Sequence, residues 1–318
     1  MTPTLPHQPV PDDFVVDATI TTRIDLHRGG CRCPLHGRRL FTGLLVGTAA
    51  TAALPALARE GVDVGGNSKF TKLVSAEQVE EAAQQQYAQL RREASGKGAL
   101  APASHPQVQR LQAIADRLIP YTHEWNPRAK DWKWEVSLIG SKELNAFCMP
   151  GGKIAFYYGI LQLLQLSDDE VAIIMGHEMA HALREHARER MGKQMATRGA
   201  IELGAAIFGL GGLSRTAADL GGQLLTLKFG REDESEADLV GMELAARAGY
   251  NPRAGVTLWQ KMMEANKGAP PEFLSTHPAS KTRIQDIEAN LPKVEVLYAR
   301  APKPPRQYGP PPLRSSAG

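Results

Sequence analysis

The arrangement of apolar and polar positions along the chain predicts several helices and a few short strands. Capping boxes mark two helix starts, one at Ser75 with Gln78 and one at Ser167 with Glu170, and the first helix runs to about Arg92. Further helices are predicted near Gln107–Leu118, from Glu234 to Ala248, from Pro252 to Asn266 and near Lys281–Asn290, and strands at Trp132–Ile139, Leu144–Met149 and Lys153–Tyr158. This order predicts an α+β fold that is mainly helical and contains a small mixed sheet.

The helix that begins after Ser167 contains the sequence His-Glu-Met-Ala-His at residues 177–181. His177 and His181 are four residues apart, so they project from the same helix face and can bind one zinc ion. Glu178 would lie beside the metal, where it can take a proton from water. The alternative is a buried helix with two hydrogen-bonded histidines. We favour the metal site, because a glutamate between two histidines on an apolar stretch is costly without a partner.

The acidic segment from Gly230 to Asp238 offers the third ligand that a catalytic zinc site needs. Glu234 and Asp238 are again four residues apart, so both can face one site from a second helix. Glu234 would bind the metal, and Asp238 would accept a hydrogen bond from the far nitrogen of a ligand histidine, His177. Glu236 competes as a ligand, but its offset of two residues points it to another face. Taken alone, such a segment is more often a solvated helix start.

The remaining histidines fit the site less well. His186 follows His177 by nine residues, half a turn out of phase on a continuous helix, so its side chain should point away from the metal. His277 belongs to the loop Ser275-Thr276-His277-Pro278, which precedes a short helix containing Arg283. Composition alone identifies this loop only as a turn. The other histidines have no ligand spacing and are interpreted as surface or loop residues; they are His7, His27, His36, His105 and His123.

Four elements in this order resemble one family of zinc metallopeptidases. The segment Asn145–Gly152 resembles the family's Asn-Ala-Phe-x-x-Pro-Gly-Gly sequence. The histidine helix, the Glu-x-Glu-Ala-Asp element from Glu234 and the Ser-x-His-Pro loop with a following arginine come next. The family includes the HtpX-type proteases, the mitochondrial Oma-type proteases and the CaaX prenyl endopeptidases. The resemblance covers about residues 105 to 290.

This resemblance implies a gluzincin metallopeptidase fold with one zinc ion per chain. The ligands it implies are His177, His181 and Glu234, with Glu178 as general base and Asp238 as the partner of a ligand histidine. In relatives of this type, the histidine of the Ser-x-His-Pro loop can approach the zinc and hold the enzyme inactive. His277 is therefore a candidate regulatory fourth ligand or transition-state contact.

Substrate binding is predicted at the strand that precedes the histidine helix. If Lys153–Tyr158 is an edge strand, an extended peptide can pair with it, and such backbone pairing is largely blind to sequence. The residues predicted to bind substrate are Asn145, Gly151, Gly152, Lys153, Ile154 and Ala155. The oxyanion that forms during hydrolysis would rest against the zinc and a nearby donor, His277 or Arg283. The expected substrates are extended or unfolded polypeptides.

The N-terminal residues are similar to a twin-arginine export signal. Arg38 and Arg39 precede the uncharged run Leu40–Ala58, and Ala56 and Ala58 are small residues at the usual cleavage offsets. We expect a mature chain from about Arg59 in the periplasm. The alternatives are an anchor in the inner membrane formed by residues 40–58 and a tail with a chance arginine pair.

The predicted organisation has four parts: a leader at 1–58, a helix and linker at 59–104, the metallopeptidase domain at 105–295 and a disordered proline-rich tail at 296–318. The apolar segment Gly199–Leu213 has two interpretations, a helical hairpin that shields the site and a peripheral membrane contact, and we favour the hairpin. The net charge of +3 is too small to indicate a nucleic-acid partner.

Two function classes remain. The first is an active zinc endopeptidase of the cell envelope that acts on misfolded or membrane-associated proteins. The second is a chaperone-like or binding module whose zinc is structural or is held closed by His277. The intact Glu178 favours the first class, because a structural site has no need of a base beside the metal.

Overall fold

The computed structural model describes residues 59–207, 224, 227–267, 272–278 and 280–312. The leader predicted at residues 1–58 and the second half of the Gly199–Leu213 segment lie outside the described residues. All described residues belong to one compact unit. None of the helices within them combines the length and the apolar character needed to cross a membrane.

Helices make up most of the described chain, as the sequence predicts. They are α1 (Ala76–Gly96), α2 (Pro106–Leu118), α3 (Tyr158–Leu163), α4 (Asp168–Leu183), α5 (His186–Ile207), α6 (Arg231–Arg247), α7 (Ala254–Ala265), α8 (Glu272–Thr276) and α9 (Lys281–Arg300), with 3-10 helices at Lys69–Leu73, Ile119–Glu124 and Pro127–Lys130. The capping box of α4 is present, since Glu170 N donates to Ser167 Oγ at 3.2 Å and Ser167 N donates to Glu170 Oε2 at 2.8 Å.

The three predicted strands form one mixed sheet. They are β1 (Glu135–Ile139), β2 (Ala146–Met149) and β3 (Lys153–Tyr157), in the order β1-β3-β2, with β1 parallel and β2 antiparallel to β3. The prediction that the strand before the histidine helix lies at an edge is therefore wrong. Both hydrogen-bonding sides of β3 are occupied, and the edge strands of this sheet are β1 and β2.

The segment N-terminal to the metallopeptidase domain packs on this sheet instead of standing apart from it. The Tyr87 hydroxyl on α1 donates to Ile154 O at 2.6 Å and lies 2.9 Å from Ser137 Oγ, which ties α1 to β1 and β3. Leu100 forms an isolated bridge with Ile139. The predicted boundary at residue 104 therefore does not separate two packing units.

Helix α4 lies at the centre of the core and crosses α6 at two glycines. A Cβ atom on Gly176 would lie 2.6 Å from Gly241 O, and one on Gly241 would lie 2.5 Å from His177 N. Side-chain carbons do not tolerate such distances, so only glycine permits this approach. The close crossing brings Glu234 and Asp238 of α6 to the face of α4 that carries the two histidines.

The C-terminal region differs from its prediction. Helix α9 continues through Pro292 to Arg300, because a buried apolar face beyond the proline, including Leu297, holds it on the core. Residues 301–312 form no helix or strand, and they lie against the domain through hydrogen bonds that the prediction of a disordered tail did not include. Tyr308 N and Gly309 N donate to the Asp168 carboxylate at 2.7 and 3.1 Å, a tertiary contact that composition cannot indicate.

Candidate metal centre

The three predicted ligands converge at one buried point, and His277 joins them. One ligand atom from each of His177, His181, Glu234 and His277 lies within 4.8 Å of the others. The two Nε2 atoms of His177 and His181 are 3.1 Å apart. Glu234 Oε1 lies 3.5 Å from His181 Nε2, and Glu234 Oε2 lies 3.6 Å from His177 Nε2. Each of these side chains is buried.

The chemistry of this cluster fits a zinc ion. His177 Nδ1 faces the Asp238 carboxylate, which can only accept a hydrogen bond when ionised. In a neutral ring with its proton on Nδ1, the lone pair on Nε2 points into the cluster. Two imidazole nitrogens and a carboxylate oxygen are the donors that catalytic zinc prefers. The carboxylates of Glu178 and Glu234 are both buried. Arg283 lies beside Glu234, but Glu178 Oε1 has no hydrogen-bond partner in the part of the chain that the structure describes, and a buried negative charge of this kind is costly without a cation nearby.

Glu178 lies beside the cluster and in the wall of a cleft. Its Oε1 atom is buried without a hydrogen-bond partner among the described residues, and it lies 3.6 Å from His277 Nε2. Burial raises the pKa of Glu178 above its ordinary value, because the charged form is poorly solvated there. A carboxylate with a raised pKa and a free oxygen is suited to accept and hold a proton.

Asp238 holds His177 and is itself held by Arg283. His177 Nδ1 lies 3.0 Å from Asp238 Oδ1, and the Arg283 guanidinium donates to both Asp238 oxygens at 2.7 Å. Burial alone would raise the pKa of Asp238, but the Arg283 charge and the hydrogen bonds from His177 and Arg283 outweigh it. The pKa falls to about 2, so the carboxylate stays ionised.

Arg283 is engaged in a way that does not fit the predicted oxyanion contact. Its Nε and Nη2 atoms bind Asp238, while Nη1 lies 2.6 Å from Glu234 Oε2 and donates to Pro278 O at 3.1 Å. The guanidinium carbon also lies 3.7 Å from the centre of the Trp259 ring. Every nitrogen is therefore already bound, and Arg283 fixes the carboxylates instead of facing the cleft.

His277 enters the cluster from the loop that follows α8. Its Nδ1 atom lies 2.9 Å from Glu234 Oε1 and 3.3 Å from His177 Nε2. Phe273 stacks on one side of its ring, with centroids 4.6 Å apart, and Phe229 stacks at 5.3 Å. Burial alone would lower the pKa of His277, but the nearby carboxylates, among them Glu178, outweigh it and raise the pKa.

His186 does not point away from the site, contrary to the expectation from helical phase. Helix α4 ends at Leu183, Glu185 has a φ of 60°, and α5 begins at His186, so the helix is interrupted between the two histidines. His186 Nδ1 lies 2.9 Å from His181 Nδ1, and Glu236 contacts the far side of His186. Glutamate seldom adopts positive φ, so no residue in the sequence signals this interruption.

A cleft of about 320 Å³ opens beside the cluster. Its wall includes Asn145 and the whole of β2, together with Glu178, His181 and His277. Of the residues predicted to bind substrate, only Asn145 lines this cleft within the described chain. Gly151 and Gly152 lie in the turn before β3. Lys153, Ile154 and Ala155 lie on β3, where the backbone is already paired with β1 and β2.

The two glycines of that turn have structural reasons to be there. Gly151 and Gly152 have φ values of 81° and 76°, in the left-handed region that favours glycine. A Cβ atom on Gly152 would lie 2.7 Å from the Trp134 ring. Lys153 does not line the cleft; its Nζ donates to Glu135 Oε1 on β1 at 2.8 Å.

Comparison with known sequences agrees with this geometry. The profile of Peptidase family M48 matches residues 105–291. The chain is 35% identical over 198 residues to the mitochondrial metalloendopeptidase OMA1 of Schizosaccharomyces pombe, with 61% of this chain and 56% of that protein covered. It is 30% identical over 202 residues to the metalloprotease LoiP of Escherichia coli, with 63% of this chain and 76% of LoiP covered.

A further relative is the beta-barrel assembly-enhancing protease of Yersinia pestis, which is 29% identical over 191 residues. That match covers 56% of this chain and 38% of the relative. The chain thus spans less than two thirds of the length of the OMA1 proteins and of this protease.

Proposed function

Since the chain belongs to peptidase family M48, we propose that it is a zinc-dependent endopeptidase that cleaves extended or unfolded polypeptides. One observation carries this proposal. The side chains of His177, His181 and Glu234 meet at a single buried point, with the carboxylate of Glu178 beside them and a cleft leading in. That constellation provides three ligands for one zinc ion per chain and a base next to it.

The reaction is hydrolysis of a peptide bond. A zinc ion bound to these ligands supplies Lewis acidity, which lowers the pKa of water to about 7 and polarises a carbonyl group. Glu178 takes the proton of the attacking water and later gives it to the leaving amine. Its burial, which raises its pKa, favours holding that proton between the two transfers.

The substrate backbone is expected to pair with β2. This strand lines the cleft, and its outer side is not paired with another strand of the described chain. Pairing there places an extended peptide beside Glu178, as β-strand addition does in other peptide-binding proteins. This proposal replaces the one based on β3. It also explains why unfolded chains, which can become extended, are the expected substrates in protein quality control.

A second candidate state follows from the position of His277. Its Nδ1 atom lies among the three ligand atoms, so it can complete four-coordinate binding and leave no ligand position for water. In that state the protein would be an inactive zinc-holding module. The stacking of Phe229 and Phe273 on the His277 ring favours this position in the absence of substrate.

The test measures zinc content and casein degradation for the protein and for Glu178→Gln. We expect one zinc per chain in both, with activity reduced by about 10²-fold or more in the variant, because the base is lost while the ligands remain. If wild type contains zinc but does not cleave, His277→Ala should release activity. Cleavage that is unaffected by Glu178→Gln would contradict the proposed mechanism.

We also propose that the protein is exported to the periplasm. The paired Arg38 and Arg39, the uncharged run Leu40–Ala58 and the small residues at its end support this proposal. Cell fractionation with N-terminal sequencing should find the protein outside the cytoplasm and beginning near Arg59. Substitution of both arginines by lysine should retain it in the cytoplasm. Unchanged export of that variant would contradict a twin-arginine signal, and an intact N-terminus in the membrane fraction would favour the anchor.

A further inference from the structure

A line of polar groups, from buried His186 to half-buried Glu236, leads away from His181 on the side opposite the ligand cluster. His186 Nδ1 lies 2.9 Å from His181 Nδ1, and His186 Nε2 lies 3.5 Å from Glu236 Oε2. The other Glu236 oxygen is paired with the Arg184 guanidinium, which also donates to Gly65 O at 2.9 Å. His186 is 1% exposed, so its ring nitrogens depend on these partners.

The hydrogen-bonding capacity of these groups admits one arrangement when His181 binds a metal. A neutral histidine that binds metal through Nε2 carries its proton on Nδ1. That proton must be donated to His186 Nδ1, which is then an acceptor and leaves the His186 proton on Nε2. The His186 Nε2 proton then lies on the side of the ring where Glu236 Oε2 is 3.5 Å away, within ion-pair distance but without a hydrogen bond between them. The proton of His181 Nδ1 thus has its acceptor on His186.

The interruption of the helix is what creates this line. On a continuous helix His186 would lie five residues beyond His181, at about 140° around the axis. The positive φ of Glu185 turns the chain so that α5 restarts with His186 against the His181 ring. Phe229 stacks on the His181 ring with centroids 3.9 Å apart, which restricts the ring to the plane that His186 requires.

We propose that His186 is a positioning residue that orients His181 for metal binding. The negative charge of Glu236, 3.5 Å from His186 Nε2, favours the form of the His186 ring in which Nε2 carries the proton and Nδ1 accepts. This inference rests on the metal site of the proposed function and adds to it. The neighbouring ligand has its own acceptor, since His177 donates to Asp238. Hydrogen-bond partners of ligand histidines typically change metal affinity by about 10- to 100-fold when they are removed.

The experiment measures zinc affinity by competition with a chromophoric chelator, using the full chain. We expect His186→Ala to bind zinc about 10- to 100-fold more weakly than wild type. His186→Asn should recover most of that loss, because the asparagine Oδ1 atom occupies the position of the histidine Nδ1 atom and accepts the same proton. Glu189→Gln, one turn further along α5, is the matched control and should leave the affinity unchanged.

Glu236→Gln separates orientation from packing. It should weaken zinc binding when His186 is present and have no effect in the His186→Asn background, where the link to Glu236 is already lost. Unfolding of the metal-free variants, followed in parallel, identifies any general loss of stability. An affinity of His186→Ala within twofold of wild type would overturn the proposal, and so would an affinity of His186→Asn as weak as that of His186→Ala. A wild-type protein without zinc would overturn the proposed function as well.

Discussion

Each of the two ligand histidines of α4 faces a chain of polar groups that ends in a carboxylate paired with an arginine, but the two chains differ. On one side His177 contacts the Asp238 carboxylate directly, and Arg283 closes the network. On the other side a second histidine stands between His181 and its carboxylate, Glu236. The Asp238 side chain is 4% exposed, whereas that of Glu236 is 23% exposed.

This difference assigns different tasks to the two sides. The pair of Asp238 and Arg283 places full charges in the core, where each depends on the other and where removal of one partner is expensive. The His181 side carries its charges nearer to the surface, where solvent replaces a lost partner. We therefore expect the His177 side to dominate the stability of the metal-free protein and the His181 side to affect metal affinity with little effect on folding.

Asp238→Ala should produce the largest effect. The substitution removes the carboxylate that faces His177 Nδ1. It also leaves Glu234 as the one carboxylate still paired with the buried Arg283 guanidinium among the described residues. The free energy of unfolding should fall by about 3–5 kcal/mol, the usual cost of breaking a buried ion pair. Urea unfolding of the metal-free protein measures it.

The matched variant for this prediction is Glu236→Ala. Since Glu236 is partly exposed and Arg184 keeps its bond to Gly65 O, the loss should be about 1 kcal/mol or less. Equal losses for Asp238→Ala and Glu236→Ala would show that the two sides do not differ in stability as we infer.

The pH dependence of folding should report the ionised state of Asp238 on the His177 side. Asp238 titrates at about 2 in the folded protein, below its ordinary value of 3.8. Because its pKa is lowered on folding, ionised Asp238 stabilises the folded protein above pH 4 by about 2 kcal/mol. This stabilisation is lost as the pH falls through 2. The stability difference between metal-free wild type and Asp238→Asn should therefore shrink by about 1 kcal/mol between pH 6 and pH 3. A constant difference would contradict the lowered pKa.

The sequence predicted the His177 side well because its spacings hold within continuous helices. His177 with His181 on α4, and Glu234 with Asp238 on α6, are four residues apart and do share a face in the structure. What brings the two helices together, the crossing at Gly176, could be recognised only once both helices were placed in space.

Two of the errors concern contacts that join distant segments, and a third is local. The central position of β3 results from parallel pairing with β1, which no local pattern reveals. The tail at residues 301–312 lies against the domain through bonds to Asp168, about 140 residues earlier. The prediction for His186 assumes that α4 continues as a regular helix through Glu185. The positive φ of Glu185 interrupts the helix, so the predicted direction of the His186 side chain is wrong.

Glu185 offers the smallest and most specific test of the difference between the two sides. Glu185→Gly and Glu185→Ala both lose the carboxylate contacts with Arg188 and Asn67. Only glycine adopts a φ of 60° without strain, so the glycine variant should be more stable by about 1 kcal/mol. At Gln194, exposed within α5, the order should reverse by a similar amount, because glycine disfavours helix.

Urea unfolding of the four metal-free variants at positions 185 and 194 decides this point. If alanine were the more stable residue at both positions, the chain would be helical through Glu185. A continuous helix would turn His186 away from His181 and leave the His181 Nδ1 atom without its partner. The His177 side would then have a positioning residue and the His181 side would have none. In that case His186→Ala would bind zinc as tightly as wild type.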